Sequence, residues 1–459
     1  KEIVKLKEKI KEQQEDKKYN RENEKINANI FWNLCKSIKK YLEESIKVTL
    51  CANILIMPLT IYKFNTISLN FILANMVAGP LLGLSLILGL IMLVTSFVSL
   101  NIAKFISFIL NIILIVLIKS TKLISQIPYS NITVITPHLI SIVIIYTIIF
   151  LGYYIARSPK LRKKLKVNKK LMIKTIAIVL SITIISVATL NLLEEKKLKL
   201  YFVDVGQGDC TYLKTPSGKN ILIDGGGNRD KEKYDVGKKV LLPYLLDRRV
   251  KKLDYIIVSH FDADHATGVA QILGKIDVSS IILTRQLEEN DIYRHILSIA
   301  KEKKIKLIYV KEGDVLKIGG IKISIIHPEN KLMINNPMNN NSIVCKVEYN
   351  SFSMLLTGDI EMEAEELILR KNINLKADVL KVAHHGSKTS TTGEFLKAIN
   401  PKVALIGVGK NNNFGHPSNE VIQRLKENGT RIYRTDENGE ISITVNKKGR
   451  IIKIQRCIT

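Results

Sequence analysis

Residues 255–268 read Tyr-Ile-Ile-Val-Ser-His-Phe-Asp-Ala-Asp-His-Ala-Thr-Gly. The apolar run 255–258 predicts a short buried strand. It stops at Ser259, and His260, Asp262, Asp264 and His265 come within a few positions. A strand end aims alternate side chains one way, so His260 and Asp262 share one point. A helix starting next aims Asp264 and His265 at a second point close by. Imidazole and carboxylate together suit zinc or manganese, and four such groups exceed what one open site needs. The pattern therefore predicts two adjacent divalent metal ions. A solvated polar loop before a helix capped by Asp264 is the plain alternative, and it suits a lone His-Asp pair better than H-x-D-x-D-H.

The chain around this run has 459 residues, enough for two or three domains. It begins with Lys1, and the expectation is a fragment lacking an amino-terminal part. Hydrophobic residues make up 46% and mean hydropathy is +0.11, high beside 24% charged residues. The average hides a split: long apolar runs precede residue 193, and an ordinary globular pattern occupies the rest. The net charge of +27 suits a polyanion or an anionic membrane surface, and a lysine-rich composition explains it equally well. The five cysteines, Cys35, Cys51, Cys210, Cys345 and Cys457, are scattered with no C-x-x-C, which argues against a cysteine zinc site and a disulfide framework.

Residues 1–45 read as a charged lead-in, helical or disordered to 29 and then amphipathic around Trp32. Residues 46–192 read as a transmembrane domain, with apolar runs at 46–62, 68–98, 102–118, 134–156 and 171–192, each near the length of a span. Gly79-Pro80 interrupts the second run, and either a kinked helix or a re-entrant pair fits. Residues 157–170 carry eight lysines and arginines and no acid. A short loop this basic stays cytoplasmic, so the last run carries the chain after residue 193 to the outer side.

Residues 199–459 switch to short strands separated by turns, with hairpins in both halves and helices between, which predicts an α/β domain of the αββα sandwich type. Polar groups gather at its strand ends: Asp224 after 221–223, Asp359 after 354–358, His385 after 379–382. Ser387, Lys388, Thr389 and Ser390 lie just past His385, where hydroxyls, amides and one ammonium can hold a phosphate, or Ser387 can cap a helix. Asn413 and His416 lie on a Gly/Pro turn and can donate to a phosphate or a leaving group.

The run 260–265 resembles the second motif of the metallo-β-lactamase fold, H-x-H-x-D-H, with Asp262 replacing the second histidine. That replacement hardens the first metal site and favours manganese over zinc. The resemblance implies that Asp224 orients a ligand from behind without touching the metal. It implies metal ligation by His260, Asp262, Asp264 and His265, an Asp359 that bridges both metals, and a second site completed by His385. His384 is then an alternative ligand or a proton donor. One histidine of the family pattern is missing. Only His295 and His327 fall in its window; His295 reads as a helix surface residue, and His327 as either a ligand or a structural residue.

Taken together the motifs resemble the ComEC family of DNA-uptake proteins. The soluble ones are Phe202-Val203-Asp204-Val205-Gly206-Gln207-Gly208-Asp209, Ile223-Asp224-Gly225-Gly226, Leu356-Thr357-Gly358-Asp359, His384-His385-Gly386-Ser387-Lys388-Thr389-Ser390 and Asn413-Phe414-Gly415-His416-Pro417. The membrane part is similar in Met57-Pro58-Leu59-Thr60-Ile61-Tyr62 and Ala74-Asn75-Met76-Val77-Ala78-Gly79-Pro80. The resemblance implies a channel-associated, metal-dependent phosphodiesterase in the uptake of transforming DNA. Asp264, Asp359, His384 and His416 would be catalytic, and single-stranded and duplex DNA, the lipid membrane and other competence proteins are the expected partners. Two other classes remain open: a membrane-tethered metallo-hydrolase of a small ester or phosphodiester, and a non-catalytic channel or DNA-binding module with a degenerate metal site.

Overall fold

The computed structural model describes residues 2–161, 163, 174, 177, 178, 181, 197–228 and 235–457, with side chains from 32 onward except at 156. The chain divides into two compact units, one formed by Lys1–Val134 with Leu139–Lys163 and one by the remainder.

The first unit is helical: α1 (Glu2–Phe64), α2 (Phe71–Ser96), α3 (Leu100–Ser125) and α4 (Leu139–Arg157). Among the described residues Trp32–Phe64, Phe71–Ser96 and Leu100–Ser125 are long and apolar enough to cross a membrane, and Leu139–Ile155 is a shorter apolar helix. The boundary expected near residue 45 falls inside α1. In α2 one helix continues through Pro80, so the re-entrant pair is not what forms there. Pro80 lacks an N–H and leaves one turn of the ladder unbonded. Tyr146 Oη donates to the Leu55 carbonyl at 2.7 Å, tying α4 to α1. Leu86 and Phe105 are 67% and 66% exposed, part of an apolar surface too continuous for water. The strands β1 (Thr66–Ser68) and β2 (Asn131–Thr133) pair antiparallel in this unit. Most of the fifth apolar run, 171–192, and most of the basic stretch 157–170 lie outside the described residues.

The second unit is a two-sheet sandwich. Its strands are β3 (Leu198–Phe202), β4 (Thr211–Lys214), β5 (Asn220–Ile223), β6 (Lys252–Ile257), β7 (Asp277–Leu283), β8 (Lys306–Tyr309), β9 (Val315–Ile318), β10 (Ile321–His327), β11 (Val344–Tyr349), β12 (Phe352–Leu356), β13 (Val379–Lys381), β14 (Val403–Ile406), β15 (Arg431–Arg434), β16 (Glu440–Val445) and β17 (Ile451–Cys457). One sheet runs β17-β16-β3-β4-β5-β6-β7-β8 and the other β15-β14-β13-β12-β11-β10-β9. In each sheet an antiparallel part gives way to a parallel part: β5 to β8 in the first, β12 to β15 in the second.

Side-chain alternation builds the layers. In β3, Leu198, Leu200 and Phe202 face the space between the sheets and meet Ile323, Val347 and Met354 there. On the outer face of the first sheet Tyr212, Leu222 and Ile256 pack against Leu241, Leu245 and Val269. On the outer face of the second, Leu380 and Ala404 pack against Ile368, Phe395 and Val421. The parallel strands are therefore covered on both faces, which is why β14 reads as an unbroken apolar Val-Ala-Leu-Ile. This is the αββα arrangement, placed after the apolar helices of the first unit. Truncating a side chain such as Phe202 between the sheets would cost about 3–5 kcal/mol. The apolar pattern of β3 extends to 205 in the sequence, but the strand ends at Phe202. The Asp204 carboxylate accepts from Gly206 N at 3.0 Å and turns the chain.

Candidate metal centre

Three loops at strand ends are stitched together by backbone bonds. Asp209 N donates to Asp264 O (3.1 Å), Gly225 N to His265 O (2.8 Å) and Gly268 N to Gly226 O (2.8 Å). The approach requires glycine: at Gly208, φ is +124° and a Cβ would lie 2.1 Å from Asp264 O.

The donors converge on this seam. Asp209, His265, Asp359 and His385 are all buried, and one ligand atom from each lies within 4.8 Å of the others. His265 Nε2 stands 3.2 Å from Asp359 Oδ1 and 3.3 Å from His385 Nε2. His385 Nε2 stands 3.2 Å from Asp359 Oδ2 and 3.2 Å from Asp264 Oδ2. Each imidazole is oriented from behind. His265 Nδ1 donates to Asp224 Oδ2 at 2.9 Å, and His385 Nδ1 donates to the Gly407 carbonyl at 2.7 Å. Asp224 is itself held by Ser259, whose N and Oγ donate to it at 2.8 and 2.7 Å. Such outer partners fix the tautomer that leaves each Nε2 lone pair facing inward.

Beside this cluster lies His260. It is fully buried, its Nε2 has no hydrogen-bond partner, and Asp262 Oδ2 is 3.9 Å away. Asp262 occupies the N-cap position of the helix Ala263–Ile272 but its side chain makes no cap bond, so its carboxylate remains available.

The charge balance of the centre calls for cations. The carboxylates of Asp209, Asp224 and Asp359 are buried, and among the described residues Lys381 is the lysine that reaches them. Its ammonium donates to the Gly358 carbonyl at 2.6 Å, reaches Asp359 Oδ1 at 3.2 Å and forms a close ion pair with Asp209. Buried anions in such excess must be balanced by bound cations or by protons. Burial opposes charge on His265, yet Asp359 and Asp224 push its pKa well above the ordinary value. Burial likewise opposes charge on His385, but Asp359 and Asp209 push it up to about 10. Against its own burial, Asp359 is held well below the usual carboxylate range by His265, His385 and Lys381. His260 is lowered to about 4 by burial and by His265. A buried imidazole with an unpartnered Nε2, beside inward-facing imidazoles and excess carboxylates, is the donor set that divalent metals take.

The strand β13 delivers His385 through a strained turn. His384 and His385 both adopt left-handed backbone, with φ 47° and 52°. Such residues cost about 1–3 kcal/mol each and survive where the surroundings hold them. Here His384 N donates to Gly358 O at 3.2 Å and Ser418 N to Gly386 O at 2.9 Å.

The centre opens into a cleft of about 1290 Å³ whose lining includes Asp262, Asp264, His384, Asn413 and His416. The rings of His384 and His416 are 5.7 Å apart, and burial, with His384, lowers His416 to about 4. Ser387, Lys388, Thr389 and Ser390 are not among the lining residues. Ser387 Oγ and Thr389 Oγ1 are 3.0 Å apart, Thr389 Oγ1 donates to Glu361 Oε1 at 3.0 Å, and Ser390 Oγ to the Ile360 carbonyl at 2.9 Å, which commits these hydroxyls to the local turn. Neither histidine of the third-ligand window reaches the centre. His295 is exposed on the helix Asp291–Glu302. His327 is buried with Nε2 donating to the Asn340 carbonyl at 2.7 Å. Ser342 Oγ accepts from Asp359 N at 3.3 Å.

Sequence reasoning passes over Asp209, Ser259 and Lys381. Lys381 carries a signal: a lysine inside the apolar run 379–382 has to find an acid. Asp209 is visible only as the last residue of a turn.

The sandwich and this donor set define a class. The model of the metallo-beta-lactamase superfamily matches residues 203–410, and the model of the competence protein matches residues 14–159. ComE operon protein 3 of Bacillus subtilis (strain 168) is 38% identical over 250 residues, 52% of this chain and 32% of that protein. Competence protein ComA of Neisseria gonorrhoeae is 28% identical over 254 residues, 55% of this chain and 33% of that protein. The match spans about a third of the length of these curated relatives. Among solved structures, the metallo-beta-lactamase fold protein YhfI from Bacillus subtilis aligns with a TM-score of 0.34 at 12% identity, over 51% of this chain and 95% of that one. With a competence segment and then a metallo-β-lactamase domain, the chain has the two-part make-up of competence proteins of the ComEC type.

Proposed function

We propose that the chain is a metal-dependent phosphodiesterase that cuts DNA beside a membrane-embedded uptake path. The observation that carries this is the convergence of His385, Asp264 and Asp359 on the lining of a cleft of about 1290 Å³, with His265 buried behind them at 3.2 Å from Asp359. Pockets for small molecules run to about 300–1,000 Å³. The larger, open cleft favours a polymer over a small ester.

Two divalent ions, zinc or manganese, fit the donors. Asp264, His265, Asp359 and His385 would hold one, and His260, Asp262 and Asp359 the other. When bound, such ions supply Lewis acidity toward a phosphate ester and a water activated near neutral pH. Asp224 and the Gly407 carbonyl fix His265 and His385. His416, neutral at physiological pH, donates to the phosphate or leaving group without adding charge, with His384 beside it and Asn413 binding the strand.

The test is hydrolysis by the purified chain after chelation and reloading with manganese or zinc, on linear duplex DNA, on single strands and on a chromogenic ester. Metal-dependent DNA cleavage is expected. Ester hydrolysis without DNA cleavage overturns the reading. The basic stretch 157–170 further supports a position of the cleft-bearing unit outside the cytoplasmic membrane. A Glu437→Cys chain should be labelled in intact cells beyond the parent's background; labelling only after permeabilisation reverses the topology.

A further inference from the structure

Phe414 sits on the lining of the cleft, in the loop after β14, and is 67% exposed. A lone exposed phenylalanine is ordinary and means little by itself. The loop that bears this one is tied down. Asn412 Oδ1 accepts from Phe414 N at 3.2 Å and from His416 N at 3.1 Å, while its Nδ2 donates to the His416 carbonyl at 2.7 Å and the Gly409 carbonyl at 3.2 Å. Gly409 N in turn donates to Gln207 Oε1 at 3.2 Å, on the opposite sheet. The loop thus gives up the roughly 1.5–3 kcal/mol that burying a phenylalanine yields while its backbone is tied on both sides of the ring.

The ring is also aligned. It lies 6.0 Å from the His416 ring with 15° between planes. From His416 the centroids step 5.7 Å to His384 and 6.3 Å to His385, a ligand of the centre. A row of rings therefore runs from the entrance to the metal donors, with the amides of Asn411 and Asn413 on the same lining.

We propose that Phe414 is a base-stacking residue, holding an unpaired base of a DNA strand whose phosphodiester lies at the metal centre. The inference rests on the DNA reading of this site. A flat, exposed ring on a tied loop recognises a flat aromatic face of any sequence, and stacking of this kind holds single strands in nucleic-acid channels. Bases within a duplex have both faces occupied by their neighbours, so the strand gripped here is single-stranded at that position.

The experiment uses the whole chain in detergent and a fluorescein-labelled single-stranded oligonucleotide. Affinity is read by anisotropy in chelator and cleavage after manganese is added. Phe414→Ala should weaken binding about 5- to 100-fold, the span of one lost base stack, while Phe414→Trp retains it. An oligonucleotide series carrying one abasic position should show a matching loss on the parent chain at a single place, and Phe414→Ala should not sense that place. Parental cleavage that Phe414→Ala equals on intact and abasic strands overturns this inference alone. A parent chain that neither binds nor cuts DNA overturns the DNA reading, and this inference with it. Loss of vesicle association by Phe414→Ala with cleavage unchanged assigns the ring to lipid and also overturns it.

Discussion

The ammonium of Lys381 lies 3.2 Å from Asp359 Oδ1 and at the same time pairs with Asp209, so a fixed cation from β13 sits directly beneath the carboxylate that faces both groups of metal donors. Lys381 is 2% exposed, and its pKa is raised: burial opposes the charge, but Asp209 and Asp359 outweigh it. A buried ion pair adds little against a hydrophobic replacement of the whole, yet removing one partner strands the other.

Lys381→Met keeps the length of the side chain and deletes its charge. It leaves Asp209 and Asp359 facing each other and the Gly358 carbonyl unpaired. The chelator-treated variant should be about 3–5 kcal/mol less stable than the parent, and manganese should recover part of that loss. Thermal melts of both chains with chelator and with manganese check this. Coincident melts in chelator would show that the lysine does not neutralise the buried acids.

Asp224 tests the outer support of the site. Its carboxylate receives Ser259 N, Ser259 Oγ and His265 Nδ1, the last at 2.9 Å. Asp224→Asn keeps the shape but turns one acceptor into a donor, which faces either the Ser259 donors or the imidazole N–H. Manganese affinity should fall about 10- to 100-fold, as for other such partners. Titration of the stripped chain with manganese against a competing chelator gives the number. An unchanged affinity would detach Asp224 from the metal centre.

Much of the site is legible in the sequence. The apolar-strand, polar-end pattern at 255–265 places His260, Asp262, Asp264 and His265 together because a strand end and a helix start obey local rules. Asp359 and His385 can be added because each also ends an apolar strand. Lys381 and Asp209 cannot be paired that way. They come from different sheets, β13 and the turn after β3, and only the sandwich brings them into contact. The same holds for Ser387, Thr389 and Ser390. Their order suggests a phosphate cradle, but Glu361 and the Ile360 carbonyl, on a loop after another strand, take up two of their hydroxyls. The ends of α1 are equally hidden, because a charged helix can run into an apolar one with no break in backbone pattern.

His327 gives a pH dependence outside the metal centre. It is buried in β10, and its pKa is lowered to about 4 by burial, with Lys371 reinforcing and the Asn340 carbonyl opposing. The unfolded chain titrates near the ordinary 6.5, so between these values the unfolded state binds more protons and stability falls as pH falls. The contribution is intact above about pH 6.5 and is lost progressively toward pH 4, about 3 kcal/mol in all for this residue. His327→Gln retains a donor for the Asn340 carbonyl and cannot titrate. Urea midpoints taken from pH 7 to pH 4 should fall less steeply in the variant. Equal slopes would mean that His327 is already protonated, or solvated, in the folded chain.

Asp264 separates cutting from binding. Its Oδ2 stands 3.2 Å from His385 Nε2, and against its burial the bond to His385 and the charge of His265 hold its pKa well below the usual carboxylate range. Asp264→Ala removes a donor from the cluster and leaves one ion weakly held. Cleavage should drop at least about 100-fold, the scale of losing one preorganised electrostatic group, and bound metal should fall by about one equivalent. DNA affinity should stay within about threefold, because neutralising phosphates with lysines and arginines dominates non-specific binding and does not pass through this carboxylate. Both chains should lose affinity steeply as salt rises. Elemental analysis, a cleavage time course and a salt titration of binding together check the claim. Equal cleavage by variant and parent would falsify the role given to Asp264. Loss of binding along with cleavage, in a variant whose circular dichroism melt matches the parent, would mean that the ions themselves anchor the strand.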